Sequence, residues 1–163
     1  MDSFKNLFVD SFNYFGYKDY NEIIPNIYVG NYRSSKKKNL DKLKIDVVVN
    51  CSESLPFYDK RKINLRIPVT DDLTLNSNVI LVRYIVRILP YIRDLHIKRK
   101  KKILIHCRAG MQRSVTLVAT YLMKYYNLSL EEAIQFLKLK RSQSFFMGPN
   151  FYITLKLFEK NCL

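Results

Sequence analysis

The chain has 163 residues and a net charge of +14, because 28 Lys and Arg outnumber 14 Asp and Glu. This length favours one domain with one hydrophobic core, and an apolar fraction of 48% excludes a disordered chain. Three cysteines and two histidines are too few for a disulfide scaffold or a usual zinc site, whereas the charge favours anionic partners.

Residues 1–20 carry a helical pattern and no targeting signal. Aromatic and leucine side chains recur at helical spacing over residues 3–16, and Gly16 is a stop signal. We predict an amphipathic helix whose apolar face either packs on the domain or forms a homodimer contact. The segment lacks the apolar run and cleavage site of a signal peptide. We therefore divide the chain into this extension and a main domain at 21–163.

Strand and helix patterns alternate through the middle of the chain. Apolar, β-branched runs predict strands at 27–29, 45–50, 63–69 and 103–105, and amphipathic patterns predict helices at 39–43 and 78–95. Pro90 should kink the long helix or begin a second piece. Arg83 and Arg87 interrupt the longest apolar stretch, so it is too charged to cross a bilayer.

The second half is mostly helical. The run KRKKK at 98–102 is a solvated loop, a nuclear signal or a membrane-surface patch, and the sequence leaves these alternatives open. Helices are predicted at 114–126, 129–140 and 151–161, the second opened by a capping box at Ser129. The alternation predicts an α/β fold with a central, mostly parallel twisted sheet flanked by helices. We expect a soluble intracellular protein, cytoplasmic or nuclear, with reduced cysteines.

Residues 103–116, ILIHCRAGMQRSVT, combine a strand, a loop and the start of a helix. Amides of such a loop and a helix N-terminus converge on one point and bind an anion there. Gly110 allows the tight turn, and Arg113 offers a planar fork of donors that matches phosphate. The same positive field lowers the pKa of the Cys107 thiol.

A thiolate that faces a bound phosphate is a nucleophile in position. The pattern predicts that Cys107 attacks phosphorus, an alcohol leaves, and water hydrolyses a phosphocysteine. Arg113 and the loop amides would stabilise the charge on the equatorial oxygens without a metal or other cofactor. The structural alternative is that Cys107 only packs in the core and Arg113 is a surface charge.

The motif His106-Cys107-x-x-Gly110-x-x-Arg113-Ser114 resembles the signature of cysteine-dependent protein tyrosine phosphatases. Its flanks resemble the dual-specificity branch, particularly the small, atypical and poxvirus-type members. The matching segments follow that family's order over residues 23–160: IIPNIYVGNY (23–32), IDVVVNCSE (45–53), LRIPVTDD (65–72), SVTLVATYLM (114–123) and LSLEEAIQFLK (128–138).

The resemblance implies a protein tyrosine phosphatase-like fold for residues 21–163. It also implies hydrolysis of phosphotyrosine, phosphoserine and phosphothreonine in proteins, inside the host cell for a poxvirus-type member. The chain has no Trp and is too short for the long substrate-recognition loop of the tyrosine-specific enzymes, which favours a shallow pocket and dual specificity.

The resemblance assigns a role to each motif residue. Cys107 is the nucleophile, and Arg113 binds phosphate and stabilises the transition state. Ser114 helps the sulfur to leave, and His106 orients the loop and helps to keep the thiolate. The implied phosphate-binding residues are Arg108, Ala109, Gly110, Met111, Gln112 and Arg113.

Two further residues are implied outside the motif. The general acid falls at Asp71 in IPVTDD, with its neighbour Asp72 as the alternative. Cys51 resembles the position of a backdoor cysteine in lipid-phosphatase relatives, where that cysteine forms a reversible disulfide with the catalytic cysteine after oxidation; a packing role is the alternative.

The sequence departs from the family near its end. Family members often carry an Asn that braces the phosphate loop, and here Gly148 stands at that position, with Asn150 as a possible substitute. Gln112 replaces a small residue and is expected to narrow the pocket mouth.

Three rival functions stay open. The first is a phospholipid phosphatase that binds anionic headgroups, which Arg108 and the net charge favour. The second is an RNA 5′-phosphatase, which the motif opposes, so no nucleic acid is expected, and the third is a phosphate-binding module without turnover.

Overall fold

A computed structural model describes residues 16–163, so the predicted helix at 3–16 and its dimer contact lie outside the described residues. The strands are β1 (Tyr20–Ile24), β2 (Ile27–Gly30), β3 (Val47–Asn50), β4 (Ile63–Arg66) and β5 (Ile103–His106). The helices are α1 (Lys37–Leu43), α2 (Leu75–Arg93), α3 (Arg113–Tyr126), α4 (Leu130–Lys140) and α5 (Tyr152–Cys162).

The five strands form one sheet in the order β1-β2-β5-β3-β4. Only β1 and β2 are antiparallel, so the predicted central, mostly parallel sheet is confirmed. The register places His106 beside Gly30 on one side and Asn50 on the other. Because the carboxyl ends of parallel strands share one edge, the loops that follow β2, β3 and β5 meet there.

Strand β1 was not predicted from the sequence. Its residues YNEII are half polar and lie at the edge of the sheet, paired only with β2 across a turn at Pro25 and Asn26. A short edge strand with polar residues carries little periodic signal. The boundary predicted between residues 20 and 21 falls inside this strand.

Helix α2 runs as one element through Pro90, so this proline does not begin a second helix. A proline removes one backbone hydrogen bond from a helix. The buried apolar face of α2, with Leu81, Ile85 and Leu89, packs in the main core and outweighs that loss. A π-helical turn, Asp94–Lys98, follows α2 and takes up the first residue of the basic run.

The two faces of the sheet bury cores of unequal size. Helices α2 to α5 cover one face, where Ile103 and Ile105 of β5 point into the main core. Leu104 points to the opposite face and packs with Leu40 of α1. Helix α3 is buried through most of its length and begins at the carboxyl end of β5. None of the helices in residues 16–163 is long and apolar enough to cross a membrane.

Candidate active site

The loop at residues 107–113, here called the phosphate loop, connects β5 to α3. Cys107 follows β5 directly and is 2% exposed. The Gly110 N–H donates to the Cys107 sulfur at 3.3 Å, and the Ser114 hydroxyl lies 3.3 Å from the same sulfur. The sulfur therefore sits among hydrogen-bonding groups at the N-terminus of a buried helix, which favours negative charge.

The surroundings of Cys107 act on its pKa in opposite directions. Burial raises the pKa of the thiol, whereas the positive charge of Arg113 and hydrogen bonds from Ser114 lower it. The net result is a pKa below the usual value for a cysteine. The pattern-based expectation of an acidic thiol agrees with this geometry.

Gly110 is packed so tightly that no side chain fits there. Its φ is +66°, and a Cβ on Gly110 would lie 2.5 Å from the carbonyl carbon of Gly30. The adjoining loop after β2 supports the same region, since the Tyr32 N–H donates to the Arg108 carbonyl at 3.0 Å. Arg108 and Ala109 are half-exposed, whereas Met111 is buried.

Arg113 joins the phosphate loop to the loop at residues 67–74, here called the acid loop. One guanidinium nitrogen of Arg113 donates to the Val69 carbonyl at 3.0 Å. Its Nε lies 3.5 Å from a carboxylate oxygen of Asp71, whose side chain is 40% exposed. The structure thus brings together the predicted phosphate ligand and one of the two predicted acids.

Asp72 has a different environment. Its carboxylate accepts hydrogen bonds from the hydroxyls of Ser77, Thr70 and Thr74 and from the Thr74 N–H. These contacts, that of Ser77 first, hold the pKa of Asp72 well below its usual range. Asp72 is therefore a carboxylate that fastens the start of α2.

His106 is fully buried at the end of β5. Neither ring nitrogen has a hydrogen-bond partner within residues 16–163. Burial lowers the pKa of His106 to about 4; the Cys107 backbone opposes this shift, and the positive charges of Arg66 and Arg113 add to it. The imidazole is therefore neutral at pH 7 and adds no positive charge beside the thiolate.

Cys51 follows β3 on the strand next to β5. Its N–H donates to the His106 carbonyl at 2.7 Å, and its side chain is fully buried. Burial, with the negative charge of Cys107 as a smaller cause, raises the pKa of Cys51 far above its usual value. Cys51 is thus a protonated thiol, and it lies close enough to Cys107 for the charge of Cys107 to act on its pKa.

Gln112 connects the phosphate loop to the loop at 146–150, a contact that the sequence analysis missed. Its amide nitrogen donates to the carbonyls of Phe146 at 3.1 Å and Gly148 at 3.0 Å. Its carbonyl accepts from the Asn150 N–H at 2.9 Å. The Gln112 side chain is tied into this loop, and the expectation that it narrows the pocket mouth stays a prediction. In this chain, a side chain of the phosphate loop holds the 146–150 loop in place.

Arg141 is a second residue that the sequence analysis missed. It follows α4 and is 1% exposed. Its Nε donates to the Gly110 carbonyl at 2.8 Å, and one terminal nitrogen donates to the Lys18 carbonyl at 2.9 Å and to Asn21 Oδ1 at 2.8 Å. In the basic stretch LKLKRSQ it resembles an ordinary surface charge, and no local signal distinguishes it.

Comparisons with known proteins agree with this arrangement. Residues 27–161 match the family model described as dual specificity phosphatase, catalytic domain. Human dual specificity protein phosphatase 9 is 33% identical over 134 residues, which cover 80% of this chain and 33% of that protein. The chain spans about a third of the length of the curated relatives it matches.

Solved structures share the fold. The crystal structure of human DUSP28 matches with a TM-score of 0.73 and 22% identity, over 88% of this chain and 94% of that one. A mouse putative dual specificity phosphatase, solved in complex with zinc tungstate, matches with a TM-score of 0.74 and 24% identity over 87% of each chain. The finer resemblance to small, atypical or poxvirus-type members stays a prediction. The family model matches most of the chain, including the sheet and the phosphate loop. This chain therefore belongs to the dual specificity phosphatase family and contains its catalytic domain.

Proposed function

We propose that the chain hydrolyses phosphotyrosine, phosphoserine and phosphothreonine monoesters in proteins through a phosphocysteine intermediate. The observation that carries the proposal is the Cys107 sulfur, which has a lowered pKa and lies within 3.3 Å of Gly110 N and Ser114 Oγ. Membership of the dual specificity phosphatase family supports the same reaction.

In the first step, the Cys107 thiolate attacks the phosphorus atom. The sulfur–phosphorus bond forms while the bond from phosphorus to the ester oxygen breaks. The Arg113 fork and the loop amides hold the equatorial oxygens and balance their charge. The leaving oxygen needs a proton, and we assign its donation to Asp71.

In the second step, water attacks the phosphocysteine. Asp71, now a carboxylate, accepts a proton from that water, and the sulfur–phosphorus bond breaks to release inorganic phosphate. The Ser114 hydroxyl can donate a hydrogen bond to the sulfur as it departs with its electron pair. The cycle regenerates the thiolate and a protonated Asp71.

The choice of Asp71 over Asp72 rests on their contacts. Asp72 is committed to four hydrogen bonds at the start of α2, which favour the ionised form and remove it as a proton donor near neutral pH. Asp71 faces Arg113, which we assign to phosphate binding, and its side chain is 40% exposed to solvent. An acid in this position can reach the ester oxygen of a phosphate that Arg113 holds.

The reaction is tested by phosphate release from matched substrates. Phosphotyrosine, phosphothreonine and phosphoserine peptides of one sequence are compared with short-chain phosphoinositides and a 5′-triphosphate RNA, with Cys107→Ser as the blank. Release from peptides by the parent chain alone is the expected result. Release from lipid or RNA with inert peptides would overturn the substrate class, and silence with retained phosphopeptide binding would indicate a binding module.

Location and assembly belong to the same proposal. We infer that the chain acts inside a cell, where its three cysteines stay reduced.

We also propose a homodimer contact through residues 3–16. It is checked by sedimentation of the full chain and of a variant in which charged residues replace Phe4 and Phe8. Monomers in both cases would rule the dimer out.

A further inference from the structure

We propose that Arg141 is a positioning residue that holds the Gly110 peptide in the orientation needed for phosphate binding and catalysis. The proposal rests on the phosphatase function proposed above. It concerns a side chain far from the signature motif in the sequence, one that touches the phosphate loop from behind rather than from the substrate side.

The first observation is the burial of a charged side chain. Arg141 is among the largest fully buried side chains of the chain, at 1% exposure. A buried arginine loses its hydration, and burial lowers the pKa of Arg141 to about 10, although attraction to Cys107 and Asp19 acts in the other direction. Such a cost is rarely tolerated in a core unless the charge serves a purpose.

The second observation is how the guanidinium is anchored. One terminal nitrogen donates to the Lys18 carbonyl and to Asn21, which fixes the group against β1 and the segment before it. The Gln143 amide donates to the same Lys18 carbonyl at 2.9 Å. The other terminal nitrogen has no hydrogen-bond partner within residues 16–163. The planar fork is thus held at one end and presents its Nε to Gly110.

The third observation is what that Nε contacts. It donates to the Gly110 carbonyl at 2.8 Å, and the N–H of the same glycine donates to the Cys107 sulfur. A trans peptide is planar, and its carbonyl and N–H point in opposite directions. The Gly110 carbonyl and the Met111 N–H belong to one peptide group. Because Arg141 holds that carbonyl toward the guanidinium, the Met111 N–H points to the opposite side of the loop, where we place the phosphate. Without Arg141 the glycine peptide, which tolerates many conformations, is free to turn over.

The test compares Arg141→Lys and Arg141→Met with Lys140→Met. Lys140 is the exposed neighbour, so its variant removes one positive charge without touching the loop. Lysine keeps the charge of Arg141 but cannot bridge Gly110 and β1 at once. We expect kcat/KM to fall roughly tenfold in Arg141→Lys and up to about a hundredfold in Arg141→Met, because small misplacements of catalytic groups have effects of this size. Lys140→Met should match the parent chain.

Two readouts separate positioning from mere stability. Alkylation of Cys107 by iodoacetamide, followed by mass spectrometry across pH, reports the thiolate. Its midpoint should stay in place in Arg141→Lys and move to higher pH in Arg141→Met. Protection of Cys107 from alkylation by inorganic phosphate reports how well the phosphate loop binds phosphate. Both variants should need roughly tenfold more phosphate for the same protection. A purely structural role would lower the melting temperature and leave kcat/KM and protection of the folded protein unchanged, which would overturn the proposal.

The experiment stays decisive if one variant fails to fold or if the parent chain is inactive. Should Arg141→Met not fold, Arg141→Lys and Asn21→Ala carry the test, and we expect Asn21→Ala to weaken phosphate protection in the same direction by a smaller factor. Should the parent chain release no phosphate from any peptide, the proposed function fails. Phosphate protection and alkylation would still report whether Arg141 orders the loop.

Discussion

Asp71 and Arg113 face each other across the two loops of the site, with 3.5 Å between a carboxylate oxygen and Nε. The contact joins the acid loop to the phosphate loop. Because Arg113 is also held by the Val69 carbonyl, the acid loop is fastened next to the place where phosphate would bind. This single relationship separates Asp71 from Asp72, which lies next to it in sequence.

Replacing Asp71 by Asn should lower kcat most for substrates with poor leaving groups. General acid catalysis contributes about a hundredfold to ten-thousandfold, and an amide cannot supply the proton. We expect a loss of that order for phosphoserine peptides and a much smaller loss for p-nitrophenyl phosphate, whose leaving group needs little protonation. The matched control is Asp72→Asn, which should lower the melting temperature while kcat stays within about threefold. The reverse order of losses would assign the acid to Asp72.

Replacing Ser114 by Ala should slow the second chemical step. The hydroxyl lies 3.3 Å from the Cys107 sulfur, and in the proposed mechanism it stabilises the thiolate as it leaves. A hydrogen bond to a charged group contributes about 1.5–3 kcal/mol, so hydrolysis of the intermediate should slow roughly tenfold to hundredfold. Rapid mixing with p-nitrophenyl phosphate should then show a burst of product and an accumulated phosphocysteine. Thr116→Ala, two residues further into the same buried helix, serves as the control and should show no burst.

Mild oxidation should connect Cys51 to Cys107. A peroxide oxidises the Cys107 thiolate to sulfenic acid, and the Cys51 thiol then displaces water from it to form a disulfide. Activity lost to peroxide should return with a thiol reductant in the parent chain. In Cys51→Ser it should not return, because the sulfenic acid is oxidised further. Peptide mass spectrometry that finds no 51–107 disulfide would leave Cys51 with a packing role, and Cys162→Ser is the control for the remaining thiol.

Gln112 should contribute to both stability and activity. Truncation to Ala leaves two carbonyls and one N–H of the 146–150 loop without their partner. These hydrogen bonds are partly buried, and a typical hydrogen bond contributes about 0.5–1.5 kcal/mol, so the loss of three should lower the melting temperature by several degrees. Gln112→Glu keeps the shape but replaces the donating amide nitrogen by a carboxylate oxygen, which can only accept and is repelled by the two carbonyls, so this variant should be at least as unstable. If both variants melt like the parent chain, the contact does not brace the loop.

The stability of the folded chain should fall when the pH drops from about 6.5 to 4. His106 has an ordinary pKa of 6.5 when unfolded and a pKa of about 4 when buried, so the unfolded chain binds more protons in this range. Stability therefore rises with pH through this window, by about 3 kcal/mol from this group. Urea titrations of the parent chain and of His106→Asn measure the slope. Equal slopes in the two proteins would contradict the assignment.

The sequence predicted the elements that carry a regular pattern. The alternation of strands and helices gave a mostly parallel sheet, because buried strands and amphipathic helices have local periodicities. It failed at β1, whose polar residues show no such period and which becomes a strand only through pairing with β2. It also left open that Pro90 begins a second helix, which does not occur, since the burial of the helix face is a property of the packed core and not of the local sequence.

The sequence by itself determined the chemistry of the phosphate loop. Cys107, Gly110, Arg113 and Ser114 lie within eight residues between a strand and a helix, so local geometry is enough to bring them to one anion. The tertiary structure decided what surrounds that loop. It placed Asp71 next to Arg113, and it brought Arg141 to Gly110, 31 residues away, and to Lys18, 123 residues away. Contacts between such distant residues depend on the path of the whole chain, which no local pattern encodes.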